Sequence, residues 1–253
     1  MKLSKTLSII IVIVLLSLFL LLGFSGIDLI GAMINVNDYF YNLLGPWGIY
    51  ISIFLISIFG NFTIILPVPY MLTIMTALLV MPVNPLILAV FAALGASIGE
   101  LSAWLLGRGA AELIDKKRYM GKIKGLESLI EKGYGFPLII LYAATPLPDD
   151  ILLIALGMKK YSLKNSLIAS FIGKLLMVLA LIFAVFIAKN TFIGQVVLYL
   201  FGLDISNGTV TSAGNTFVST ITLTVTFVIT MLLIMVDWER VWKRIKKKNT
   251  SKK

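Results

Sequence analysis

Apolar residues run almost unbroken through six stretches of the chain: Leu7 to Phe24, Trp47 to Met81, Pro85 to Leu106, Phe136 to Met158, Leu163 to Ala188 and Phe217 to Val236. An α-helix needs about 20 apolar residues to cross a hydrocarbon core, and each stretch approaches or exceeds that length. The pattern predicts an all-α polytopic membrane protein in a single membrane domain. Its parts are an N-terminal transmembrane helix at 7–24, a first hairpin plus helix at 47–106 and a basic cytoplasmic loop at 107–135. A second hairpin plus helix at 136–188, a C-terminal transmembrane helix at 217–237 and a basic tail at 238–253 complete the chain.

The hairpins follow from the charges. Of 22 Lys and Arg, only Lys174 and Lys189 fall outside four basic segments: the N-terminus, Arg108 to Lys132, Lys159 to Lys164, and Arg240 to Lys253. Basic segments mark the cytoplasmic side. Placing all four there requires the stretch Trp47 to Met81 to enter and leave on the outside, and Phe136 to Met158 to enter and leave on the inside. Each contains a break suited to such a turn, Pro67-Val68-Pro69 and Pro146-Leu147-Pro148, because two prolines one residue apart remove donors and force extended backbone. The N- and C-termini are expected in the cytoplasm, and the protein in the cell membrane.

A spanning helix follows each hairpin, with Gly95, Gly99 and Glu100 in the first half and Gly173 and Lys174 in the second. Hairpin plus helix, repeated once in opposite orientation, is the inverted-repeat plan of many secondary transporters. Gly95, Gly99, Gly157 and Gly173 are expected at close helix packing.

Composition narrows the chemistry. The 253 residues include no Cys and no His, which excludes disulfides, His metal ligation and nucleophilic mechanisms that need a thiol or an imidazole. No metal, cofactor or enzymatic activity is expected. The net charge of +10 is accounted for by orientation, so nucleic acid is not an expected partner.

Four ionisable residues lie within the apolar stretches: Glu100, Asp149, Asp150 and Lys174. A charge at the centre of a spanning helix costs about 2.5 to 3.5 kcal/mol on insertion scales, so such residues pair or line water. A Glu100 to Lys174 pair would join the two halves, either as a fixed structural link or as a moving gate. Asp149 stands where a helix should begin and would serve as its cap, which leaves a transport role open. Asp149 and Asp150 together form a candidate proton or Na⁺ site.

The order of these motifs resembles that of the DedA family, also called VTT-domain or SNARE-associated Golgi proteins. The resemblance rests on a Pro-x-Pro hairpin, then Gly95, Gly99, Glu100, Trp104, Gly107 and Arg108, a basic loop, and then Thr145-Pro146-Leu147-Pro148-Asp149-Asp150 followed by Gly157. It implies opposed re-entrant hairpins and membership among lipid transporters, including flippases of polyprenyl-phosphate carriers and phospholipid scramblases. Bacterial members commonly carry acidic residues at positions matching Gly60 or Asn61 and Tyr70, and arginines at positions matching Ala143 and Asp149. This chain lacks those charges, as in a divergent branch.

The leading expectation is a transporter of a lipid with a phosphate-bearing headgroup, with Asp149, Asp150, Glu100 and Lys174 on its path and Pro67, Pro69, Pro146 and Pro148 shaping it. A proton- or Na⁺-coupled carrier of a small solute and a non-transporting membrane scaffold are the alternatives.

Overall fold

The computed structural model describes residues 29–62, 70–109, 129–145, 149–200, 203–206 and 209–212. They belong to one compact unit, Asp28–Thr216. The helices expected at 7–24 and 217–237, the basic tail, most of the basic loop and all four Pro-x-Pro prolines lie outside the described residues.

Eight α-helices account for most of the described residues: α1 (Leu29–Leu44), α2 (Pro46–Phe62), α3 (Tyr70–Val80), α4 (Pro85–Gly109), α5 (Gly135–Ala143), α6 (Asp149–Met158), α7 (Leu163–Lys189) and α8 (Phe192–Leu200). A π-turn at Ile130–Tyr134 leads into α5. The helical reading holds except at one place, where strands Leu203–Ser206 and Thr209–Ser212 pair antiparallel. β-branched residues flank the Asn207-Gly208 dipeptide there, a combination that favours a tight hairpin over a helix.

Local chemistry sets the helix ends. Gly45 takes φ +64°, which stops α1, and Pro46 opens α2 with a φ already suited to a first helical turn. Asn84 caps α4, its Oδ1 accepting from the Leu86 and Ile87 amides at 3.0 and 3.3 Å, with Pro85 at the first helical position. The Asn84 amide itself donates to the Tyr50 hydroxyl at 2.8 Å, tying this corner to α2. At the end of α6, Tyr161 N–H bonds Leu156 C=O and Lys160 N–H bonds Gly157 C=O. This is a Schellman closure, with Lys160 at φ +60° in the place glycine usually takes. Ser162 then caps α7, accepting from the Asn165 amide.

Helix lengths fall into two groups. α4 and α7 have 25 and 27 residues, about 38 and 40 Å of helix, enough to cross a hydrocarbon core about 30 Å thick. α3, α5 and α6 have 11, 9 and 10 residues, about 14 to 17 Å each. The segments at 47–81 and 136–158 are therefore each two shorter helices on either side of a proline-containing segment.

The long helices are inside out relative to those of water-soluble proteins. On α4, Leu86, Val90, Leu94, Ile98 and Leu105 are exposed, whereas Ser97, Glu100 and several alanines are buried. On α7, Leu176, Phe183 and Phe186 face out while Ser166, Ser170 and Lys174 are buried. Large apolar side chains outside with small and polar ones inside suit a lipid solvent, where helices associate through close packing and polar contacts.

Glycines set that packing. A Cβ at Gly95 or Gly99 of α4 would run into the backbone of α2 at Phe54 or Ile58. One at Gly107 would strike Ile154 of α6, and one at Gly157 of α6 would strike Trp104 of α4. Gly173 of α7 admits Ile140 and Ala143 of α5 in the same way. The first arm of each helix pair thus packs on the long helix that follows it, α2 on α4 and α5 on α7. The second arms differ. α6 packs on α4 of the other half, whereas α3 packs mainly on α1 and α2, with Ile74 and Ala77 in a buried cluster that draws on both α4 and α7.

Candidate functional site

Three of the four charged residues singled out in the sequence meet where α4, α6 and α7 come together. Lys174 lies on the buried stripe Ser166, Ser170, Lys174 of α7, whose members recur every four residues and so share one face. Glu100 faces it from α4, with Ser97 and Trp104 buried about one turn to either side. Asp149 is the first residue of α6.

Lys174 Nζ is ion-paired with Glu100 Oε1 and donates to Asp149 Oδ2 at 2.9 Å. Glu100 also accepts a hydrogen bond at Oε2 from the Ser170 hydroxyl, one turn before Lys174 on α7. Ser170 was not singled out in the sequence. A serine in an apolar helix gives no signal alone, although its place four residues before Lys174 puts it on the same face.

The two carboxylates are held differently. Glu100 is 2% exposed and has both Lys174 and Ser170; Asp149 is 9% exposed and has Lys174 as its charged partner. Asp150 is half-buried and forms no ion pair among the described residues. The adjacent aspartates are therefore placed differently: Asp149 is paired with Lys174, and Asp150 has no ion pair among the described residues.

With both carboxylates ionised, Glu100, Lys174 and Asp149 carry one negative charge in excess. Such a triad in a low-dielectric interior is held by geometry and supplementary hydrogen bonds, because desolvation works against each ion. Glu100 has that extra support from Ser170.

Uncharged polar groups extend the site. The Tyr70 phenol, at the start of α3, interacts with the Asn61 side chain and lies within electrostatic reach of Lys174, Glu100 and Asp149. Among the described residues, Ser57 Oγ, Thr73 Oγ1 and Trp104 Nε1 are buried without a hydrogen-bond partner. Each stands three or four residues from Asn61, Tyr70 or Glu100, on the same side of its helix. Buried polar atoms are rarely left unpaired, so three within about one helical turn of this site's residues set it apart from ordinary packing.

Of the residues expected to pack closely, Gly95, Gly99, Gly157 and Gly173 all sit at helix crossings, and Gly107 joins them. Gly107 was read as the end of a motif rather than as a packing position, because Arg108 follows it.

A family model described as the VTT domain matches residues 67–187. The match covers just under half of the chain. The matched span begins at the first Pro-x-Pro segment and takes in α3 through nearly all of α7, so it contains Glu100, Asp149, Asp150, Lys174 and Ser170. Neither the curated proteins nor the solved structures include a match to this chain.

Proposed function

We propose that this protein is a lipid transporter that lets a phosphate-bearing headgroup cross the membrane while its tails stay in lipid. One observation carries the reading: a buried cation, Lys174, is shared by carboxylates from two different helices, Glu100 of α4 and Asp149 of α6, at the meeting point of two similarly built halves. Ionisable groups retained at such depth are characteristic of substrate and ion pathways.

The packing supports an inverted repeat. The first arms, α2 and α5, each pack on their own long helix and α6 packs on that of the other half, and in transporters of this plan the site lies where the repeats meet. The short lengths of α3, α5 and α6 support re-entrant hairpins, each arm covering about half the hydrocarbon thickness. Ser57, Thr73 and Trp104 support a polar path, because an entering headgroup or water would satisfy their unpaired atoms. Two carboxylates gathered around one ammonium support coupling to a proton or Na⁺.

Purified protein in liposomes containing fluorescent polyprenyl phosphate or a fluorescent phospholipid tests the proposal. Wild type should move at least one of them between leaflets, and an Asp149→Asn, Asp150→Asn variant of equal thermal stability should move it at a different rate. Failure to move either lipid, with and without proton and Na⁺ gradients, would sink the reading.

A further inference from the structure

The unequal grip on the two carboxylates points to a more specific mechanism, one that rests on the transport reading above. We propose that the Lys174 to Asp149 ion pair is a releasable contact, and that a phosphodiester headgroup takes the place of Asp149 on Lys174. Glu100 and Ser170 keep the ammonium in position during the exchange.

The geometry separates a fixed partner from a movable one. Glu100 sits mid-helix on α4, and its two carboxylate oxygens are engaged by different residues of α7. Asp149 sits at the first residue of a ten-residue helix. Its side chain is 13% exposed, against 2% for Glu100. Displacing Asp149 requires breaking its contacts with Lys174 and Glu100 and moving one helix end, whereas displacing Glu100 would require separating two long helices, α4 and α7, that pack on each other.

The chemistry of the surroundings selects an acceptor as the incoming group. The Trp104 indole nitrogen can only donate, and the Thr73 hydroxyl can donate. Both are more than nine-tenths buried and unpaired. Phosphate oxygens accept hydrogen bonds, and a lysine ammonium binds phosphate as a point charge. A bare ammonium or metal ion would leave these donors unanswered.

Charge balance selects the ester. A phosphodiester carries one negative charge, so replacing the Asp149 carboxylate with it leaves the local charge unchanged. A phosphomonoester carries about 1.5 to 2 negative charges near neutrality. It would add charge beside Glu100 where Coulomb repulsion is weakly screened. A phospholipid with a diester headgroup fits Lys174 better than a polyprenyl phosphate does.

The absence of native cysteine makes a thiol reporter clean. Thr145→Cys places one just beyond α5, close to the helix start that carries Asp149. Its labelling by a water-soluble maleimide would be followed in detergent with short-chain phosphatidylglycerol, a diester, with short-chain phosphatidic acid, a monoester, and with soluble glycerophosphoglycerol. Phosphatidylglycerol should raise the labelling rate several-fold, and phosphatidic acid should do so less at equal concentration. A response to glycerophosphoglycerol as large as that to phosphatidylglycerol would assign the exchange to a free phosphodiester and overturn its assignment to a lipid.

Adding Asp149→Asn should give fast labelling without lipid, and adding Lys174→Gln should abolish the lipid response. Should Lys174→Gln not fold, Asp149→Asn alone decides, with Lys174→Arg expected to retain the response. A wild-type rate indifferent to all three probes, a slow rate in Asp149→Asn, or a stronger response to phosphatidic acid would overturn the exchange. A silent reporter in protein that still moves lipid in liposomes would refute the exchange and leave the transport reading intact.

Discussion

The two helix pairs are alike in plan and unlike in charge. α2 and α3 supply Ser57, Asn61, Tyr70 and Thr73, all uncharged, with Tyr70 in electrostatic reach of the ionic cluster. α5 and α6 bring Asp149 and Asp150, and Asp149 reaches Lys174. In both pairs the first arm packs on the adjacent long helix through glycine, while the second arms differ, α6 reaching α4 of the other half and α3 resting chiefly on α1 and α2. The shared packing of the first arms does not depend on which pair carries charge. The asymmetry belongs to the site, and the hydroxyl- and amide-rich side faces the ionic one across Lys174.

That comparison breaks most sharply at Lys174, which serves both sides. Lys174→Gln leaves Glu100 and Asp149 buried without their cation and should destabilise by about 3–5 kcal/mol, as breaking a buried ion pair does. Thermal unfolding in detergent would show it. Adding Glu100→Gln and Asp149→Asn should recover a large part of that loss; no recovery would mean that Lys174 acts through packing alone.

Next in size is Ser170→Ala, which removes the hydroxyl that distinguishes Glu100 from Asp149. A hydrogen bond to a charged group contributes about 1.5–3 kcal/mol, and the loss should vanish in a Glu100→Gln background when measured as a double-mutant cycle. Additive effects would show that the Ser170 contact with Glu100 contributes nothing.

Packing gives the matched control. Gly99→Ala in the first half and Gly173→Ala in the second should each destabilise by about 1–3 kcal/mol through overpacking, since both glycines admit a neighbouring helix. Similar losses in the two halves, read by size-exclusion stability after heating, would support the common plan. A loss confined to one half would argue that only that half depends on close approach.

The smallest effects belong at the rim. Glu131→Gln removes a carboxylate that is 61% exposed and lies 2.8 Å from Lys159; exposed pairs contribute about 0–1 kcal/mol. Asp150→Asn should likewise change stability by less than about 0.5 kcal/mol. A larger destabilisation from Asp150→Asn would show that Asp150 has a structural role.

Much of this was legible in the sequence because lipid makes polarity expensive. Glu100 and Lys174 in apolar runs had to find partners, and for Glu100 the basic residue inside an apolar stretch was Lys174 of the other half. Asp149 was ambiguous, since a carboxylate after a proline serves equally as a helix cap or an ion-pair partner, and only the fold decides which neighbour it meets. Trp104 drew notice as part of a motif, whereas its unpaired nitrogen emerges only from the packing around it. α1 and α8 were unforeseen because they are short, 16 and 9 residues, and lie beside longer apolar stretches that dominate any reading by length. The strand pair was missed for a related reason, since four-residue strands carry too little periodicity to stand out.

The spacing of Leu86, Val90, Leu94 and Ile98 along α4 has a consequence for substitution. These side chains touch solvent rather than neighbouring helices, so Leu, Ile, Val and Phe are interchangeable there, and a saturation scan should register them as permissive. One residue onward, Gly95 and Gly99 accept nothing larger. Plotted along the chain, tolerance across this helix should rise and fall with a period close to 3.6 residues, and the troughs alone would trace which side of α4 faces the protein interior.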